Sequence, residues 1–288
     1  MRRWIVCLLP LLLAACRQER VENAATVDTD VLQWRDQRRA RLTSDDGWLS
    51  LVGLYWLHDG ANDITLPAHP PVTGRFVLEN GHVTLEPNPQ LGVKSPVVLR
   101  DDTDPNGPTI IRTGTLNFQA IKRADVKGDR FGIRVKDSAS EVRKGFKGLD
   151  YFPVNPAFRI QAHFEPYQPP KKIPITNVLG MTSDETSPGA LLFTLGGKSY
   201  RIDPILEQGE KDLFIIFKDA TSGKETYGAA RYMYAHPPDA NGNTVVDFNK
   251  SYNPPCVFTP YATCPLPPPQ NRLPIRIEAG EKKYAGHA

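Results

Sequence analysis

Little in this 288-residue chain points to a ready-made catalytic site. There is no G-x-S-x-G elbow, H-E-x-x-H pair, Walker loop, G-x-G-x-x-G turn or C-x-x-C, so the common short signatures of hydrolysis, nucleotide binding and dithiol exchange are missing. The six histidines are scattered, with His58, His69, His82 and His287 in turn-like or terminal positions, and no spacing suggests a metal site or another cofactor. The net charge is only +3 and no Lys/Arg block stands out, which argues against nucleic acid as a partner. An apolar run long enough to span a bilayer is also lacking, because Trp4 to Leu13 is too short for a membrane helix. Cysteines number four, and two of them fall in the first sixteen residues.

Those first residues carry an address. Arg2 and Arg3 precede the apolar run, and the small residues Ala14-Ala15 precede Cys16, the pattern of a removable export signal. Leu13-Ala14-Ala15-Cys16 further resembles the bacterial lipobox. That resemblance implies cleavage before Cys16, lipidation of Cys16 as the membrane anchor and, with Arg17 next, an outer-membrane protein facing the periplasm. The plainer alternative is an ordinary signal peptide with an incidental cysteine. The expected order is a signal peptide over residues 1–15, a lipidated polar tether over 16–27 and a helix over 28–44. Asp28-Thr29-Asp30 offers N-cap oxygens to that helix. Val31, Trp34, Arg38 and Leu42 share a stripe that packs on the domain.

With 27 prolines, 22 glycines and few helical patterns, the rest reads as mostly β. Residues 45–144 form a sandwich-like unit of short strands, in which Asn80-Gly81 between two alternating runs is a strong hairpin signal. Residues 145–288 form a second β-rich unit with strands at 158–164, 173–179, 190–195, 199–205, 213–217, 229–234, 245–249 and 273–278. Over 51–137, Asn62-Asp-Ile-Thr-Leu-Pro67 and the following hairpin resemble a forkhead-associated domain. The Gly-Arg step with Ser and His at that family's spacing is missing, which argues against phosphopeptide reading.

The densest chemistry lies near the end. A ribbon from Val245 to Pro269 is stiffened by seven prolines and brackets Cys256 and Cys264, and it crowds Asp247, Asn249, Tyr252 and Asn253 beside Phe248, Phe258 and Tyr261. In an oxidising compartment the two cysteines suit a disulfide, worth roughly 2–3 kcal/mol for so short a loop. The alternative is a reactive thiolate at Cys256 beside a cation such as Arg231 or Arg272. Asp219 sits on a loop after the apolar run Leu213 to Phe217. Asp247, on an otherwise apolar strand, needs a cation, for which Arg231 is the first candidate and Arg272 the second. The bland reading is a structural ion-pair network. The sharper one has Arg231 holding a ligand's carboxylate or phosphate while Asp247 acts as acid or base. Glu281 is a further carboxylate candidate near the ribbon.

The stretches Asp219-Ala-Thr-Ser-Gly-Lys-Glu-Thr-Tyr-Gly228, Asp247-Phe-Asn-Lys-Ser-Tyr-Asn-Pro-Pro-Cys256, Tyr261-Ala-Thr-Cys-Pro-Leu-Pro267 and Ala279-Gly-Glu-Lys282, with Gly47-Trp-Leu-Ser-Leu-Val-Gly53, resemble a bacterial family known as domain of unknown function 1684. The resemblance implies identity over about residues 31 to 283 and no mechanism. The expectation is therefore a lipid-anchored envelope protein that binds a small polar or anionic ligand or acts as a scaffold, its site bounded by Asp219, Arg231, Asp247, Asn249, Tyr252 and Asn253. The alternative is a hydrolase of an envelope or small anionic substrate, working through Asp247 with Arg231 or through Cys256.

Overall fold

The computed structural model describes residues 10–286, with side chains described from Val27 onward. The signal-peptide and lipidation readings rest on residues 1–9 and on the side chain of Cys16, and these lie outside the described residues. Helix α1 runs Pro10–Thr43. Asp28-Thr29-Asp30 is therefore inside the helix and does not cap it. The run from Arg17 to Ala25 is rich in Arg, Glu, Gln and Ala, all good helix formers. Val31 and Leu42 of α1 are buried, as the expected stripe requires. Among the described residues no helix is long and apolar enough to cross a membrane.

The body is mostly antiparallel β, as expected. A first unit contains β1 (Leu51–Trp56), β2 (Gly60–Leu66), β3 (Val72–Glu79), β4 (His82–Leu85), β5 (Val97–Leu99), β6 (Ile111–Thr113), β7 (Leu116–Arg123) and β8 (Arg130–Asp137). One sheet has the order β2-β3-β4-β5 and the other β1-β8-β7-β6. In β2 and β3 burial alternates residue by residue, so each strand turns one face inward. The inward faces share one core, where Phe76 and Phe118 meet edge to face with ring centres 5.9 Å apart. Asn80 and Gly81 both have positive φ, and Glu79 pairs with His82 across them, the two-residue turn that Asn-Gly favours.

The second unit contains β9 (Arg159–Thr176), β10 (Thr182–Leu195), β11 (Lys198–Ile202), β12 (Leu213–Phe217), β13 (Arg231–Ala235) and β14 (Asn243–Asp247). One sheet runs β11-β10-β9-β14, and β12 pairs with β13 alone. Phe193, Phe217, Phe248, Met233 and Val246 fill the core between them. The sequence suggests two strands where β9 is a single one of 18 residues. Its prolines are tolerated because β14 covers only residues 159–163. Beyond these one edge of β9 is open and needs no donors. Ser187 pairs with Lys171 and Gly189 with Pro166, so residues 167–170 face Pro188 as a bulge. The strand expected at 273–278 is instead an irregular extended segment. It is tied to the loop after β12 by Leu273 N–H to Lys218 O (2.8 Å) and Ala220 N–H to Ile275 O (2.9 Å).

Helix α1 is held against the second unit by charge as well as by its apolar stripe. Arg38 is buried and donates to the Glu281 carboxylate at 3.0 Å and to the Asn253 carbonyl at 2.9 Å. Its guanidinium also lies 4.6 Å from the centre of the Tyr252 ring. Glu281 is 1% exposed and accepts a second bond from the Asn253 N–H at 2.8 Å. Gly280 makes this approach possible. Its φ is +77°, and a Cβ there would lie 2.4 Å from the Ser251 carbonyl oxygen. Removing one partner of a buried ion pair leaves the other charge stranded. Arg38→Met is thus expected to cost about 3–5 kcal/mol in urea unfolding, and the double variant with Glu281→Gln to recover part of that loss.

Candidate functional site

The expected site residues separate into two groups. Arg231 and Asp219 form a pair at 3.2 Å with side chains 2% and 0% exposed. Arg231 also donates to the carbonyls of Ile277 (3.0 Å) and Ala279, while Asp219 accepts from the Ile277 N–H (2.8 Å) and the Thr221 hydroxyl (2.9 Å). Burial pushes the Arg231 pKa down, and Asp219 opposes the shift. Arg231 and Asp219 both bond to the backbone of the extended segment 273–281 and fasten it onto the core. The pair is sealed from solvent.

Asp247 does not meet Arg231. Strand β14 pairs with β9, not with β13, and the register sets Asp247 directly opposite Arg159. The Arg159 guanidinium donates to Asp247 Oδ2 at 2.8 Å. Arg272, the second partner suggested by the sequence, is exposed beside Lys218 on a different edge. The expected strand at 245–249 ends at Asp247, and Phe248–Lys250 form a 3-10 turn with Phe248 buried in the core. Asn249 consequently points elsewhere. Its amide donates to Asp247 Oδ1 (2.9 Å) and to the Asn155 carbonyl (3.0 Å), and its carbonyl oxygen accepts from the Asn155 N–H (2.9 Å). Asn253 is engaged with Glu281 and the Lys282 carbonyl.

What does open to solvent is a groove of about 1000 Å³ between α1 and the second unit. Val27, Asp30, Trp34 and Arg41 line it from α1, at spacings that keep them on one side of the helix. Facing them are Arg159, Gln161, Tyr234, Asp247, Lys250 and Tyr252. At its centre Asp30 Oδ2 accepts from Lys250 Nζ at 2.7 Å and from Arg159 Nη1 at 3.2 Å. The two cations are 35% and 23% exposed for Arg159 and Lys250, so the groove presents their charged ends. Burial raises the pKa of both Tyr234 and Tyr252. They remain neutral phenols at any physiological pH, and Tyr234 donates to Glu207 at 2.9 Å.

Of the expected residues the groove takes Asp247 and Tyr252. Arg159, Lys250 and Asp30 were missed. Lys250 lies in the quoted ribbon and needed only the 3-10 turn after Asp247 to be recognised. Arg159 opens an alternating strand, and nothing in the sequence reveals that its partner is β14. The cysteines are outside the groove, and both are free thiols. Among the described residues no three His, Cys, Asp or Glu side chains converge as metal ligands. Arg231→Met is expected to cost about 3–5 kcal/mol, because a buried carboxylate loses its cation. Arg159→Met, at the solvent edge, is expected to cost no more than about 2 kcal/mol in the same denaturant titration.

Residues 144–282 match the family described as Protein of unknown function (DUF1684). A solved structure, the solution NMR structure of an uncharacterized protein of Haloarcula marismortui, is 30% identical and covers 50% of this chain and 81% of that one, with a TM-score of 0.42. No curated protein matches. Over the segment that carries β9 to β14, the proline ribbon and Glu281, the chain matches this family of unknown function.

Proposed function

We propose that this protein is an envelope lipoprotein whose groove binds a small polar ligand carrying a carboxylate or phosphate. The observation that carries the reading is the bridging of Asp30 between Arg159 and Lys250. One carboxylate, on a helix side chain 43% exposed, occupies the place where two cations from the sheet and the following turn converge. An incoming anion meets the same two donors, and charge-assisted bonds to Arg and Lys are the strong ones. Trp34, Tyr234 and Tyr252 supply flat apolar walls and neutral hydroxyls around this point, a usual make-up for a small-molecule site.

Binding is favoured over acid–base hydrolysis by the state of Asp247. Its carboxylate accepts from Arg159, from the Asn249 N–H and from the Asn249 amide, and its side chain is 7% exposed. A carboxylate so occupied positions Arg159 and is poorly placed to take a proton from a substrate. The anchor at Cys16 belongs to the proposal through the export signal and the lipobox-like sequence, and the ligand would then be periplasmic. The forkhead-associated likeness of residues 51–137 adds no phosphopeptide site to it.

Melting temperature measured against inorganic phosphate and glutarate, at constant ionic strength, tests the reading. Both anions are expected to stabilise the protein in a saturable way, and Lys250→Ala or Arg159→Ala to remove the effect. Asp30→Asn, which takes away the competing carboxylate, should tighten the apparent affinity on the order of tenfold. An anion effect unchanged in both cation variants would sink the groove as an anion site.

A further inference from the structure

The proline ribbon holds a second cluster, separate from the groove. Cys256 lies in a 3-10 turn, Pro255–Val257, and is half-buried, whereas Cys264, eight residues on, is 4% exposed. The Cys256 N–H donates to Cys264 Sγ at 3.0 Å. The Cys264 sulfur thus lies against the Cys256 backbone, and Cys256, Cys264 and Tyr227 influence one another electrostatically. Cys256 is therefore the more exposed member of an adjacent pair whose other member is buried.

The loop between them does not depend on a covalent link for its shape. Thr259 donates to the Leu51 carbonyl at 3.1 Å, and the Arg123 guanidinium donates to Thr263 at 2.9 Å, both contacts from the first unit. From the second unit, the Val178 N–H donates to the Cys264 carbonyl at 2.9 Å and the Tyr232 hydroxyl to the Pro265 carbonyl at 2.7 Å. A disulfide stabilises chiefly by restricting a loop that would otherwise be free, so little is gained by closing one already packed and stiffened by proline. The backbone accommodates the reduced pair as it stands.

The electrostatics differ at the two sulfurs. Hydrogen bonds from Cys264 and then Tyr227 lower the Cys256 pKa, partly offset by burial. Burial raises that of Cys264. Arg134, 7% exposed and with Nε and Nη2 lacking a hydrogen-bond partner, feels Cys264 electrostatically, though less than it feels burial, Arg123 or Asp102. Burial, and then the nearby Arg123, lower its pKa to about 10, so it is still a cation at neutral pH. A buried guanidinium within electrostatic range of a thiol favours negative charge developing on sulfur, an influence Arg134 shares with its own partner Asp102 at 3.6 Å.

We propose that Cys256 and Cys264 form a redox-active dithiol that reduces small disulfides, with Cys256 as the attacking thiol and Cys264 as the resolving thiol. The Cys256 thiolate attacks one sulfur of an external disulfide, whose S–S bond breaks to release a thiolate and leave a mixed disulfide on Cys256. The Cys264 sulfur then attacks the Cys256 sulfur and gives its proton to the departing second thiolate. Two electrons pass from the pair to the external disulfide, which leaves as two thiols once the first thiolate takes up the proton that Cys256 had lost to solvent.

The test uses the full chain, reduced and then equilibrated in glutathione and glutathione disulfide. The expected result is the loss of both thiols and of two hydrogens from the intact mass, reversed as the proportion of reduced glutathione rises. Cys264→Ser should accumulate one glutathionyl adduct, at least tenfold faster than Cys256→Ser does. In the wild-type protein the rate of thiol loss to glutathione disulfide should rise with pH through a midpoint below the ordinary thiol value of about 8.5, since a lowered pKa supplies thiolate at lower pH. A pair that stays oxidised in a thousandfold excess of reduced glutathione would be a structural staple and overturns the proposal. So does a wild-type protein that keeps both thiols in excess glutathione disulfide, a result that needs no variant to fold.

Discussion

The arrangement depends on one buried carboxylate. Glu281 sits in an almost sealed position with Arg38 on one side and the Asn253 N–H on the other. A charge in such a place is tolerable only while both partners stay, so it fixes three distant pieces of chain to each other: the N-terminal helix, the start of the proline ribbon and the C-terminal segment. The helix brings Asp30 and Trp34 to the groove, the ribbon brings Lys250 and Tyr252, and the C-terminal segment closes over Arg231. Without the clamp the groove would lose one wall.

The groove follows from strand register. Because β14 runs antiparallel to the first residues of β9, Asp247 lands opposite Arg159, and the sheet core under Phe248 keeps the pair from shifting. Phe248 also ends the strand by turning inward, which throws Asn249 towards residue 155 and Lys250 towards α1. A single buried aromatic thus sets the direction of two polar neighbours. The Arg231–Asp219 pair, chemically as promising on paper, is sealed from solvent and engaged in backbone fastening.

The ribbon serves two cores at once. Thr259 and Thr263 contact the first unit, while Cys264 and Pro265 contact the tip of the β9–β10 hairpin and Tyr232 of β13. Proline lowers the entropy the ribbon loses on docking, since its φ is already restricted in the unfolded chain. The same stiffness keeps two thiols adjacent with no bond between them.

Local pattern was enough for much of the fold. The Asn80-Gly81 hairpin, the strand at Leu213–Phe217, the packed stripe of α1 and the crowding of polar groups in the ribbon were all legible, because turn chemistry and alternation act over a few residues. The long β9 was not, since prolines read as breaks until the open edge that tolerates them is known. Nor was the pairing of Asp247, which depends on the choice between β9 and β13 as a neighbour, a matter of long-range packing across some 88 residues. The sequence by itself determined which side chains carry charge, where the chain turns and where it is stiff. Only the tertiary structure decided which arginine is sealed in the core and which faces the groove, because burial and partner identity come from strand order and docking, and no local pattern encodes them.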